Sequence, residues 1–80
     1  MDFGSALELL KQGERVAREG WNGKGMFLVL IEPQQYNPDN EHLNAGLGKC
    51  PWIAMKTADH KVVPWLASQT DMLTNDWVEL

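Results

Sequence analysis

The chain has 80 residues, 44% hydrophobic and 22% charged, a size and balance that fit one globular domain over residues 1–80 and leave no room for a second core. A single cysteine, Cys50, excludes an internal disulfide; no run reaches the roughly 18 apolar residues of a membrane span, and Met1-Asp2-Phe3 does not open a signal peptide, so a cytoplasmic location is expected. The formal net charge of -4 argues against DNA, RNA or an anionic membrane as partner, although locally arranged groups can still hold a small anion.

In chain order, Asp2 is placed to cap a helix running to about Gln12, because Phe3, Ala6, Leu7 and Leu10 recur at the spacing of one helical face. Ser5 with Glu8 offers a second capping frame, and Gly13 suits the position just past the helix end. Arg15–Arg18 reads as a short strand, Asn22-Gly23 as a tight hairpin turn, and Met26–Ile31 as the returning strand. That strand is apolar on both sides: Met26, Leu28 and Leu30 face one way, Phe27, Val29 and Ile31 the other. One three-turn helix covers one face only. A second copy of the chain is therefore expected on the other, the alternative being that the segment from Pro33 to Lys49 folds back over it. That segment, rich in Pro, Asn, Gln and Gly, with Tyr36 and Leu43 as its larger apolar residues, reads as a surface loop. Trp52–Thr57 and Val62–Trp65 form a second hairpin turning at Asp59-His60, with Pro64 at an edge or strand end. Ser68–Asp71 fits a capping box ahead of one helical turn, and Trp77–Glu79 a last short strand. The fold class is α+β: an N-terminal helix packed on a small antiparallel β-sheet, with a short helical turn near the C-terminus.

Four tryptophans are many for this length. Trp52 and Trp77 lie within or beside apolar strands and are expected in the core. Trp21, between Gly20 and Asn22-Gly23, is poorly placed to build a core but well placed to stack on a planar ligand. The segment from Trp65 through Ala67, Ser68, Gln69 and Thr70 to Asp71 gathers hydroxyls, an amide and a carboxylate at a helix start. Backbone N–H groups there suit a phosphate, and Asp71 suits ribose hydroxyls or a base amino group; plain helix capping explains the same residues equally well. Arg18, Lys24 and Lys56 are the nearest cations for a pyrophosphate. Ser68, His60 and Asp71 supply the residue types of a hydrolase triad, but no nucleophile-elbow sequence surrounds Ser68. His42, Cys50 and His60 lack the paired spacings of a zinc site, and Gly20, Gly23 and Gly25 precede a strand where nucleotide-binding glycine motifs need a helix. No cofactor is expected, and the chain reads as a binder rather than an enzyme.

Phe3-Gly4 with Ala6-Leu7, Val16-Ala17-Arg18, the stretch Gly20-Trp21-Asn22-Gly23-Lys24-Gly25-Met26, Met55–Asp59, Pro64–Leu73 and Asp76-Trp77 together closely resemble the second Thoeris anti-defence family of phage and prophage proteins. The resemblance implies a homotetrameric sponge in the bacterial host cytoplasm. Such a sponge sequesters glycocyclic ADP-ribose signals made by TIR-domain enzymes, and in some members cyclic dinucleotides of CBASS defence, without cleaving them. The matching pocket residues are Trp21, Asn22, Ser68, Gln69, Thr70 and Asp71. An enzyme that degrades the same signals, and an adaptor that binds a host defence protein, are the alternative readings. Two departures stand out: the loop between the hairpins is short, and Asp59-His60 replaces the family's Asp-Gly turn, which should strain the second hairpin because His tolerates positive φ less well than Gly.

Overall fold

The computed structural model describes residues 1–21, 25–35, 42–43 and 47–80. Asp2 caps helix α1 (Phe3–Lys11), its carboxylate accepting the Ser5 N–H at 2.8 Å, so the Asp2 frame is used and not the Ser5 one. The helix stops because Gly13 turns left-handed at φ 88°, which lets the Gly13 and Glu14 N–H groups close back on the Leu10 and Leu9 carbonyls. Few side chains other than glycine's accept that conformation without cost. Strands β1 (Val16–Arg18), β2 (Phe27–Ile31), β3 (Trp52–Lys56), β4 (Val62–Pro64) and β5 (Trp77–Glu79) form a single antiparallel sheet in the order β4-β3-β2-β1-β5. Between β4 and β5 sits the five-residue helix α2 (Gln69–Leu73). The α+β arrangement expected from the sequence is the one observed, with strand ends shifted by one residue at Val16, Phe27, Lys56 and Pro64. Pro64 closes β4, an edge strand, where its missing N–H leaves no gap inside the sheet.

Among the described residues, the segment beginning at Pro33 departs from the expected loop at its start. Pro33–Gln35 forms a 3-10 turn, closed by the Gln35 N–H on the Glu32 carbonyl and by the Glu32 N–H on the Gln35 side-chain oxygen. Leu43 is exposed. The Asn22-Gly23 turn and Tyr36 fall outside the described residues.

α1 covers one face of the sheet. Ala6 and Leu10 from the helix, Val16 and Leu28 from the strands, and Trp77 from β5 are fully buried together, with Phe3, Leu7, Leu30, Ile53 and Met55 around them. The strand pairing puts Phe27 opposite Lys56, Val29 opposite Ala54 and Ile31 opposite Trp52, so these residues share the other face. There Phe27, Val29, Ile31 and Trp52 are half-buried, and the Arg15 guanidinium lies 5.1 Å from the Phe27 ring centre. The apolar alternation of β2 thus sets Leu28 and Leu30 toward α1 and Phe27, Val29 and Ile31 on the opposite face of the sheet.

Candidate functional site

Trp77 organises the β5 end of the molecule. Its indole is fully buried, with Phe3 5.6 Å, Trp21 5.5 Å and Trp65 5.9 Å away between ring centres, the last two nearly edge-on. Edge-to-face contact sets the positive rim of one ring against the negative face of another. The Trp77 indole N–H donates to the Asp71 carbonyl at 2.9 Å, which ties α2 to the same aromatic cluster. Trp77 is a core residue, as expected. Trp52 is instead half-buried on the far face of the sheet, outside the cluster.

The placement of Trp21 corrects the sequence reading in part. An indole in that turn was expected to stay out of the core, yet it packs on Trp77 and is half-buried. Three residues past β1, where its N–H closes back on the Arg18 carbonyl, a ring this long still reaches inward. Trp65 is likewise half-buried, while Ser68, Gln69 and Thr70 are exposed and Ala67 is intermediate. Asn22 and Lys24 lie outside the described residues.

Ser68 and Asp71 form the expected capping box: Ser68 Oγ accepts the Asp71 N–H at 3.0 Å, and the Asp71 carboxylate accepts the Ser68 N–H at 2.9 Å. The Asp71 N–H is therefore already engaged and is not offered to a phosphate. The second Asp71 oxygen accepts from Arg18 Nη1 at 2.8 Å, and Arg18 Nε donates to Asp76 at 2.9 Å. Arg18 thus faces two carboxylates, where a pyrophosphate was expected. One guanidinium against two acids leaves the cluster net negative, a poor field for an anion. Asp76 also accepts from the Gly20 N–H at 3.0 Å and the Thr74 hydroxyl at 3.0 Å. Lys56, the remaining cation named from the sequence, donates to the Gly25 carbonyl on the other side of the sheet.

These contacts set the protonation of the cluster. Burial pushes the Asp71 carboxyl up, but the Ser68 N–H, the Arg18 side chain and the Ser68 hydroxyl together hold it below the usual carboxylate range. Asp76 is lowered chiefly by its hydrogen bond from Arg18, against some burial, with help from Thr74 and Gly20. Arg18 is raised in turn, first by Asp76 and then by Asp71. All three are ionised at neutral pH.

On the outer side of α2, Gln69, Thr70, Leu73 and Thr74 line an open concavity of about 400 Å³. Gln69 and Thr70 were singled out from the sequence; Leu73 and Thr74 were not. Their signal was the helical spacing itself, since Leu73 and Thr74 stand four residues after Gln69 and Thr70 and share their face. Leu73 is 78% exposed, so a large apolar side chain stands beside the polar ones on this surface. Ser68 and Asp71 are brought together, but the Asp71 carboxylate is held by Arg18 and the Ser68 N–H, while His60 lies in the exposed β3–β4 turn. Among the described residues no cluster of His, Cys, Asp and Glu is arranged to hold a metal ion, and no helix is long and apolar enough to cross a membrane.

Comparison with known proteins bears on this same architecture. A relative from Bacillus phage SP01, "Thoeris anti-defense 2", is 47% identical over 83 aligned positions that cover 96% of this chain and 91% of the relative. The model of the Thoeris anti-defense 2-like domain matches residues 1–80, from the Asp2 cap through both hairpins to β5. The chain therefore belongs to the Thoeris anti-defense 2-like family.

Proposed function

We propose that this protein acts against the Thoeris defence of a bacterial host by binding glycocyclic ADP-ribose, and in a separate place cyclic dinucleotides, and holding them uncleaved. The observation that carries the reading is the pairing of unlike surfaces around Trp77: two half-exposed indoles, Trp21 and Trp65, beside the exposed hydroxyls and amide of Ser68, Thr70 and Gln69. Aromatic faces suit a purine, and the polar run suits ribose and phosphate oxygens. Asp71 helps chiefly by fixing that run, and any bond it gives a ribose is added to its cap and its ion pair.

Holding is favoured over cleavage because the carboxylate that would orient a catalytic histidine is already committed to Arg18. Family membership and the apolar sheet face opposite α1 support assembly of the binder from several copies, a homotetramer in this proposal. With Phe27, Val29, Ile31 and Trp52 half-buried there, the face is apolar enough to pack against its own copy. Val29→Asp should break that packing. Light scattering is expected to give a mass several times the 9.1 kDa of one chain for the unaltered protein and a smaller one for the variant; a single-chain mass in the unaltered protein would end the assembly argument.

The function is tested by incubating the protein with glycocyclic ADP-ribose and a panel of cyclic dinucleotides, removing free nucleotide, and heating to release what was held. Mass spectrometry should recover intact nucleotide. Recovery of a hydrolysed product would make the protein an enzyme. Capture of a host defence protein with no nucleotide retained would make it an adaptor.

A further inference from the structure

The Arg18 side chain lies between the two segments that carry the proposed ligand contacts, and both of its bonded partners reach further. Asp76 accepts from Arg18 Nε on one oxygen and from the Gly20 N–H on the other, while its own carbonyl accepts the Glu19 N–H. That fixes the chain leading into Trp21. Asp71 accepts from Arg18 Nη1 on one oxygen and from the Ser68 N–H on the other, which fixes the start of α2. The three side chains are only 15%, 12% and 27% exposed for Arg18, Asp71 and Asp76, so water competes weakly for these bonds.

We propose that Arg18 is a positioning residue: a two-headed latch that holds the Glu19–Trp21 segment and the Ser68–Asp71 segment in one fixed relation before any ligand arrives. The latch explains why an arginine is needed here. Its planar fork gives two carboxylates separate donors at fixed angles, and a lysine ammonium on its flexible stem does not reproduce that geometry. It also explains Gly20. A Cβ there would stand 2.9 Å from Asp76 Oδ2, closer than real side chains come, so any larger residue must displace a carboxylate that Arg18 and Thr74 also hold in place. Binding gains because a ligand that touches both segments does not have to order them first. The importance of this for nucleotide capture rests on the function proposed above; the latch itself does not.

Amide hydrogen exchange without ligand tests the latch. Arg18→Lys should raise exchange at the Gly20 amide and at the Ser68 and Asp71 amides together, by about tenfold, while the amides of α1 stay at their original rates. Asp76→Asn, whose bonds besides Arg18 run to the Glu19 and Gly20 N–H groups and the Thr74 hydroxyl and not to Ser68 or Asp71, should also raise exchange at Ser68 and Asp71; a purely local role for Asp76 would leave those amides unchanged, and that result would overturn the proposal. If Arg18→Lys loosens α1 as well, the milder Asp76→Asn decides the matter alone. Glycocyclic ADP-ribose is then titrated into each variant. Affinity should fall about tenfold in Arg18→Lys, and an undiminished affinity beside loosened amides would show a latch that positions nothing. Failure of the unaltered protein to bind that nucleotide would instead remove the proposed function and leave the exchange result standing.

Discussion

At the β1–β5 end of the sheet, side-chain bonds join residues 53 to 58 positions apart, from Arg18 to Asp71 and Asp76 and from Gly20 to Asp76. In the β3–β4 turn, the Thr57 hydroxyl reaches only two to four residues, to Asp59 and Lys61. The first kind of bond exists only when the whole chain is folded, because the cost of closing so long a loop is met by the core that closes it. The second forms and breaks within one turn. Damage at the first end should therefore appear in global stability and ligand affinity, and damage at the second should stay local.

The strongest test of the contrast is Trp77→Ala. It empties a fully buried site, unpacks Phe3, Trp21 and Trp65, and leaves the Asp71 carbonyl without its indole donor. Loss of a buried Trp costs about 3–5 kcal/mol, against a total of about 5–15 kcal/mol for a natural domain. Urea denaturation should show a variant at the edge of unfolding at 25 °C. A midpoint close to that of the unaltered protein would mean that the aromatic cluster is not what joins β5 to the helix.

Acid should act next in size, and chiefly at the β1–β5 end. Asp71 and Asp76 have folded-state pKa values below the ordinary carboxylate value of about 4. The unfolded chain then takes up protons at a higher pH than the folded chain does. Their contribution is complete above about pH 5 and is lost as the pH falls through 4 toward the lowered folded values. Asp59 is lowered too, by the Thr57 hydroxyl first, but it is exposed and screened, so its share should be small. The urea midpoint should hold steady from pH 7 to 5 and drop below pH 4. Asp71→Asn combined with Asp76→Asn should flatten that drop, whereas Asp59→Asn should leave it; the reverse pattern would undo the contrast between the two ends.

Trp21→Ala separates binding from folding at the same end. If its ring stacks on a purine, affinity for glycocyclic ADP-ribose should fall by about 1–3 kcal/mol, or roughly five- to 150-fold, with Phe recovering part of the loss. Some stability should go as well, since the ring also packs on Trp77. Calorimetry that finds unchanged affinity in a folded variant would assign Trp21 to the core alone.

The sequence made the elements legible because each rests on short-range physics: the Asp2 cap, the Gly13 stop, the two-sided strand Phe27–Ile31, the Ser68–Asp71 box. Asp71 was read either as a helix cap or as a ligand contact, and the cap is observed, while Arg18 was read only as a nearby cation for a pyrophosphate; neither reading pointed to the Arg18–Asp71 pair. Nothing local says that residues 53 positions apart will meet, so a ligand phosphate and an internal carboxylate are equivalent partners until the strands are ordered. Trp21 failed differently. A side chain that long, three residues past the end of β1, can reach either water or core, and only the position of Trp77 on the neighbouring strand β5 decides between them.

The smallest expected effect belongs to the β3–β4 turn. His60 has φ 62°, the left-handed conformation anticipated from the Asp59-His60 pair, and it is the one non-glycine residue with positive φ among those described. For a residue with a Cβ this region costs about 1–2 kcal/mol relative to the right-handed one. Glycine removes that strain but loses about 0.5–1 kcal/mol to the greater freedom of the unfolded chain. The two terms partly offset, leaving a gain for His60→Gly between about zero and about 1.5 kcal/mol, and for a domain of this size that corresponds to a rise in Tm of no more than about 6–12 °C. Because the Thr57, Asp59 and Lys61 bonds close the turn without involving any residue of β1, α2 or β5, nucleotide affinity should not change. Calorimetric melting and titration of this one variant read both quantities. A loss of affinity accompanying the stabilisation would show that the β3–β4 turn is coupled to the Trp77 cluster, and the division of the sheet into a globally tied end and a locally tied one would not survive it.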